Sequence, residues 1–122
     1  MEFQHQDIPG AIIGAAFEVY NVLGYGFLER VYQRAMQIEL QARGFKAEIE
    51  AEIRVIYKGM EVGFYKADLW VNNCVIVELK AAKCYVAEDE PQLLNELKAT
   101  GIKVGLLVNF GRTKVEFKRM VF

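Results

Sequence analysis

Two carboxylates and one ammonium interrupt an otherwise apolar stretch of this chain. Asp68 lies within Ala67-Asp68-Leu69-Trp70-Val71, and Glu78 and Lys80 close the run Val75-Ile76-Val77-Glu78-Leu79-Lys80. Unpaired charges are almost never buried, but at the ends of paired strands they can converge in a cleft. Asp68, Glu78 and the backbone carbonyl of Leu79 are hard oxygen donors of the kind that Mg²⁺ or Mn²⁺ prefers. Such an ion polarises a phosphodiester and lowers the pKa of an attacking water. Lys80, two residues beyond Glu78 and so on the same strand face, can orient that water or stabilise the developing negative charge. The bland alternative is a solvated ion pair worth ~0–1 kcal/mol.

Strand parity decides whether the two carboxylates can cooperate. A two-residue loop at Asn72-Asn73 pairs Val71 with Cys74 and turns Asp68 and Glu78 to opposite faces. A three-residue loop from Val71 to Asn73 pairs Asp68 with Ile76. Asp68 and Glu78 are then diagonal neighbours on one face, roughly 7–8 Å apart, and a β-bulge serves equally. The odd register also gathers Leu69, Val71, Val75, Val77 and Leu79 on the other face. A metal site therefore requires an odd loop or a bulge in this hairpin.

The surrounding elements follow from periodicity and punctuation. Asp7 caps a first helix with Pro9 in its opening turn, and Gly24-Tyr25-Gly26 ends it. A second helix is expected from about Phe27 to Arg43, with Leu28, Val31, Ala35, Ile38 and Ala42 inward and Gly44 as its stop. Glu29 and Tyr32 lie on one side of it, and Glu29 becomes a further ligand if the helix packs near the strand ends. Ile49, Ala51, Ile53, Val55 and Tyr57 alternate as a half-buried strand. Strands over 62–71 and 74–81 follow. Glu88 to Pro91 opens a third helix whose Leu93, Leu94 and Leu97 face the core, with Gln92 on its polar side, placed to orient water or phosphate. Val104 to Phe110 is a continuously apolar, interior strand, and a last strand runs from Val115 to Phe122. The order α-α-β-β-β-α-β-β describes an α+β, or mixed α/β, domain.

Composition excludes several classes. The 122 residues are 53% hydrophobic and 25% charged, which fits one folded domain over 1–122. Cys74 and Cys84 form no CxxC pair, and His5 is the single histidine. An ordinary zinc site, a disulfide framework and a Ser–His or Cys–His nucleophile are therefore not expected. Free thiols suit a reducing, cytoplasmic setting. The apolar stretch from Ile8 to Leu28 lacks a basic flank and contains Glu18 and Asn21, so neither a signal peptide nor a membrane span is expected. Gly24-x-Gly26 lacks the Lys-Ser/Thr of a phosphate-binding loop. Residues 1–97 carry 9 Lys+Arg against 15 Asp+Glu, whereas residues 98–122 carry six basic residues against Glu116 alone. That basic quarter can meet phosphates, or be a solvated strand face.

Gly26-Phe27-Leu28-Glu29-Arg30-Val31-Tyr32 resembles the signature of the GxxExxY protein family. The likeness continues through Ala67-Asp68-Leu69, Val77 to Lys80, Gln92 to Asn95 and Leu97 to Gly111. That family is placed in the PD-(D/E)XK nuclease superfamily. The resemblance implies a restriction-endonuclease-like αβββαβ core with an extra N-terminal helix and a C-terminal strand. It implies Asp68, Glu78 and Lys80 as the D…ExK triad, Glu29 as the helix glutamate and Gln92 as a helix residue near the site. The implied activity is a Mg²⁺- or Mn²⁺-dependent nuclease acting on DNA or RNA. The alternatives are a non-catalytic nucleic-acid- or protein-binding module that keeps the fold, or an interaction subunit needing a partner. A homodimer is among the expected states. Ala67 stands where the superfamily name has Pro, Asp89 where many members of the family carry His, and Glu96 where many carry Tyr.

Overall fold

A computed structural model describes residues 7–122; His5 lies outside them. Asp7 caps helix α1 (Ile8–Leu23), its Oδ1 accepting from the Gly10 N–H at 3.1 Å. Gly24 ends the helix, and Gly26 follows with φ 115°, a backbone state open to glycine alone at little cost. Helix α2 (Glu29–Ala42) then leads into strands β1 (Ala47–Tyr57), β2 (Met60–Val71) and β3 (Val75–Lys80). A short 3₁₀ turn (Ala87–Asp89) precedes helix α3 (Glu90–Thr100), and β4 (Val104–Phe110) and β5 (Val115–Val121) complete the chain.

The strands form one sheet in the order β1-β2-β3-β4-β5. All neighbours are antiparallel except β3 and β4, which are parallel and joined through α3. This is the expected mixed α+β architecture of the restriction-endonuclease-like kind, with β4 in the sheet interior. Helices α1 and α2 cover one face, where Leu69, Val71, Val75, Val77 and Leu79 join their core. Helix α3 covers the other, packing Leu93 and Leu97 on Ile76 and Leu107. Gly105 permits that approach, because a Cβ there would lie 2.9 Å from Leu93 Cδ1.

Three expectations about faces are corrected. On α2 the buried row is Tyr32, Met36 and Leu40, while Leu28 is 64% and Ile38 53% exposed. A search for apolar residues passes over Tyr32, yet its buried side chain has a partner for its hydroxyl. The OH donates to the Gly24 carbonyl at 2.6 Å, and the ring stacks on Phe110 at 4.2 Å. On α3, Leu94 is exposed and Glu96 takes a buried place beside Leu93 and Leu97. In β1 the alternation breaks at Glu50, whose φ is 57°. Ile49 and its partner Leu69 pack with α1 and α2, whereas Ala51 and its partner Ala67 pack with the α3 core. The faces switch at Glu50 on β1 and at Asp68, opposite it, on β2.

Gly26 and Tyr32 therefore hold the α1–α2 junction. Tyr32→Phe keeps the stacked ring but orphans the Gly24 carbonyl, and is expected to cost about 1–3 kcal/mol. Tyr32→Ala should cost about 3–5 kcal/mol. Urea titrations of the three proteins measure both.

Candidate functional site

The β2–β3 hairpin turns through Asn72 and Asn73, both left-handed with φ 50° and 55°. The Cys74 N–H donates to the Val71 carbonyl at 2.9 Å, and Val71 pairs with Val75. The loop is odd, as a shared face requires, but it comprises Asn72 to Cys74, one residue later than expected. Continuing the pairs Val71–Val75 and Leu69–Val77 brings Asp68 level with Glu78, in place of the expected diagonal with Ile76.

At that level side chains replace the ladder. Asp68 Oδ2 accepts from the Leu79 N–H at 2.7 Å, and Glu78 Oε2 accepts from the Asp68 N–H at 3.3 Å. Each carboxylate is thus fastened to the opposite strand. Gln33, on α2, donates from Nε2 to the Asp68 carbonyl at 2.9 Å and ties the same residue to the helix layer. Beyond Lys80, buried Asn109 clamps the chain. Its Nδ2 donates to the Ala82 carbonyl at 3.0 Å, and its Oδ1 accepts from the Ala82 N–H at 2.9 Å.

The structure brings Asp68, Glu78 and Lys80 together and adds carboxylates around them. Burial raises the Asp68 carboxyl above its usual range. The Leu79 hydrogen bond and the Lys80 charge oppose that, while Glu29 and Glu50 reinforce it. Glu29, the first residue of α2, is thus near enough to act on Asp68, although its side chain is exposed. Glu78 is 4% exposed, and burial first, then the charges of Asp68 and Glu96, push its carboxyl up to about 10. Glu78 and Glu96 are hydrogen-bonded to each other. Burial raises Glu96 as well, partly offset by its bonds from Glu78 and Gln92. Gln92 is not directed elsewhere: its Nε2 donates to Glu96 Oε2 at 3.1 Å.

Glu96, Glu50, Gln33 and Asn109 are site residues that pattern reading missed. The signals for Glu96 and Asn109 were single polar residues on otherwise apolar faces. Nothing local marks Glu50 or Gln33.

The donor set is of the hard-oxygen kind that a divalent cation prefers: buried carboxylates whose mutual repulsion a positive ion relieves. Asp68 and Glu78 would hold it. In the arrangement described, no three acidic, His or Cys side chains among the described residues are grouped to share one ion. The bonds to the Leu79 and Asp68 N–H groups account for where two of those carboxylates point.

A mixed five-stranded sheet with two helices on one face, one on the other, and carboxylates at the divergence of two strands defines a nuclease-type fold. The model of the PD-(D/E)XK nuclease superfamily matches residues 6–120, and the chain belongs to that superfamily. Its nucleases typically use divalent metals and interact with nucleic acid. The crystal structure of SSO0001 is similar, with a TM-score of 0.62 and 17% identity over 76% of this chain. The match spans 50% of that protein, about half its length. No curated protein matches the sequence. No helix among the described residues is long and apolar enough to cross a membrane.

The raised Glu78 carboxyl has a definite consequence for stability. Folded Glu78 keeps its proton up to about 10, whereas an unfolded Glu releases it near its ordinary 4.5. Between those values the folded state binds more protons, so stability falls as pH rises. With chelator present, Tm is expected to decline from pH 5 to pH 9. Glu78→Gln should decline less steeply and melt higher at pH 8, by about 5 °C per kcal/mol recovered. Thermal melts across pH check this.

Proposed function

We propose that this protein is a divalent-metal-dependent nuclease that hydrolyses phosphodiester bonds of nucleic acid, and that it belongs to the GxxExxY branch of its superfamily. The observation that carries this reading is the fastening of Asp68 and Glu78 side by side across β2 and β3, with Lys80 two residues further along. Asp68 and Glu78 would hold Mg²⁺ or Mn²⁺, with the Leu79 carbonyl and Glu29 as further donors. The bound ion supplies Lewis acidity to the phosphodiester and a lowered pKa to the attacking water.

The chain's own residues do the rest. Lys80 lies on the same strand face as Glu78, and none of the ion pairs among the described residues involves it. Its ammonium is therefore available to orient water or to stabilise negative charge developing on the phosphate. Gln92 acts on this site through Glu96, which it holds by one hydrogen bond. A cleft of about 380 Å³ on the α3 side is lined by Arg54, Tyr65, Asn95 and Lys98 among others, and would be where substrate lies. Its cations suit phosphates, and Tyr65 offers a ring for stacking. The basic C-terminal strand contributes less than its charge suggests, since Lys118 Nζ lies 3.3 Å from Glu90 Oε1.

A second reading is a binding module that keeps the fold without cleaving. The lack of three converging ligand side chains among the described residues favours it. Under that reading binding is insensitive to Lys80→Ala but weakens when Lys114, Lys118 and Arg119 are neutralised.

The purified protein with Mg²⁺ or Mn²⁺ is expected to cleave DNA or RNA. Asp68→Ala should abolish both cleavage and metal binding. Lys80→Ala should lower the cleavage rate about 10²–10³-fold while metal still binds. Absence of cleavage on every DNA and RNA tried, with no metal binding sensitive to Asp68→Ala, would end the catalytic reading.

A further inference from the structure

The loop that follows β3 is tied by four hydrogen bonds to one hairpin, that of β4 and β5. Asn109 clamps Ala82 at both its N–H and its carbonyl. The Arg112 N–H donates to the Lys83 carbonyl at 3.1 Å, and the Tyr85 N–H donates to Glu116 Oε1 at 2.8 Å. Gly111 lets the two segments close on each other. A Cβ there would lie 2.8 Å from the Lys114 carbonyl oxygen and 3.3 Å from that of Lys83. Residues 81–85 and 111–114 therefore make one fixed surface. It sits at the carboxyl ends of β3 and β4, the parallel pair, where open α/β sheets commonly present a ligand site.

That surface is positively charged. Residues 80–86 and 111–114 include Lys80, Lys83, Arg112 and Lys114 and no acidic residue, in a chain of net charge −1. Lys83, Arg112 and Lys114 are exposed, and none of the ion pairs among the described residues involves any of the four cations. Glu116 borders the loop, but its Oε1 is engaged by the Tyr85 N–H and by Asn109 Nδ2 at 3.2 Å. Elsewhere basic side chains find acidic partners, as Lys118 does in Glu90 and Arg43 in Glu39. Cations fixed close together without counter-charges repel, and a polyanion that spans them relieves the repulsion. The surface is also continuous with the candidate site, since Lys80 belongs to both. Lys83 is five residues beyond Glu78, at most about 18 Å along the chain. Phosphates on one strand of a duplex advance about 3.4 Å along its axis, so the surface reaches those up to about five nucleotides from the scissile one.

We propose that Lys83, Arg112 and Lys114 form a phosphate-binding platform that holds the nucleic-acid backbone beside the cleavage site. This rests on the nuclease reading given above and adds where the substrate strand runs. The platform continues β3, whereas the α3-side cleft adjoins β2 at Tyr65, so the two flank the point where those strands separate. Phosphate contacts carry no base information, so the grip is independent of sequence.

The test is fluorescence anisotropy of the full chain with labelled DNA and RNA, each single- and double-stranded and in two unrelated sequences, with and without Mg²⁺. Both polymers are titrated because they share the phosphates, and the arm that binds names the substrate. Lys83→Gln combined with Lys114→Gln is expected to weaken binding about 10–10²-fold at ~0.1 M salt, equally on both sequences. The slope of log K against log salt should fall by about 1.5–2. Lys46→Gln combined with Lys103→Gln makes the same charge change at the far end of the sheet, beside the Asn72 turn and the start of β4. That variant should keep the wild-type slope. A second readout needs no variant. Cys84 lies on the platform and Cys74 in the β2–β3 turn, both exposed. Bound nucleic acid should slow alkylation of Cys84 by iodoacetamide severalfold and leave Cys74 as reactive as in the free protein. Equal binding by the two double variants, or a Cys84 that bound nucleic acid does not protect, would overturn the platform and leave the nuclease reading standing. If the wild type neither binds nor cuts any of these polymers, the nuclease reading falls and the platform with it.

Discussion

Asn72 and Asn73 both adopt left-handed backbone, and Cys74 is left over between the turn and the first paired residue of β3. Asparagine tolerates that conformation better than other side chains, so two in succession make a tight reversal at modest cost. The extra residue sets the register that brings Asp68 level with Glu78. Had Val71 paired with Cys74, every side chain of β3 would have turned to the other face. Leu69, Val71, Val75, Val77 and Leu79 would then have left their common core. The apolar layer and the acidic site are therefore held by one register, and neither can slip without the other.

Past that level the strands separate, and carboxylates take over hydrogen bonds that a ladder would otherwise make. The exchange satisfies two backbone N–H groups while spreading negative charge through a poorly hydrated region. Glu50, strained into positive φ across from Asp68, adds to it. Strained non-glycine residues and buried like charges concentrate where function outweighs stability. The supports are correspondingly firm: Gln33 on the Asp68 carbonyl, Asn109 clamping Ala82, and Leu93 seated over Gly105.

Gly26, Glu29 and Tyr32 divide their labour around the start of α2. Gly26 supplies the backbone freedom that lets the chain leave α1, and Tyr32 locks the junction by stacking on Phe110 and bonding Gly24. Glu29, one turn earlier on the same helix, is the member that reaches the acidic region electrostatically. Two of the three residues thus position the third. The placement of α2 near the ends of β2 and β3 follows from the buried tyrosine more than from the exposed leucine and isoleucine of the same helix.

Element order, the Asp7 cap and the limits of β4 were all legible in the chain, because caps, glycine stops and apolar runs act over a few residues. The requirement for an odd hairpin was legible too, since parity is a local property of two strands. The superfamily resemblance points to Asp68, Glu78 and Lys80 from the sequence alone. Which residue made the loop odd was not legible, since it depends on how a whole apolar layer packs. The buried face of α2 was missed because Tyr32 is buried only when the Gly24 carbonyl and the Phe110 ring receive it. Glu96 and Glu50 were missed for a related reason. A carboxylate is driven to the surface by its own solvation, and only tertiary contacts can hold it inside. The partners that do so here lie on other strands and helices, where periodicity along one segment cannot see them.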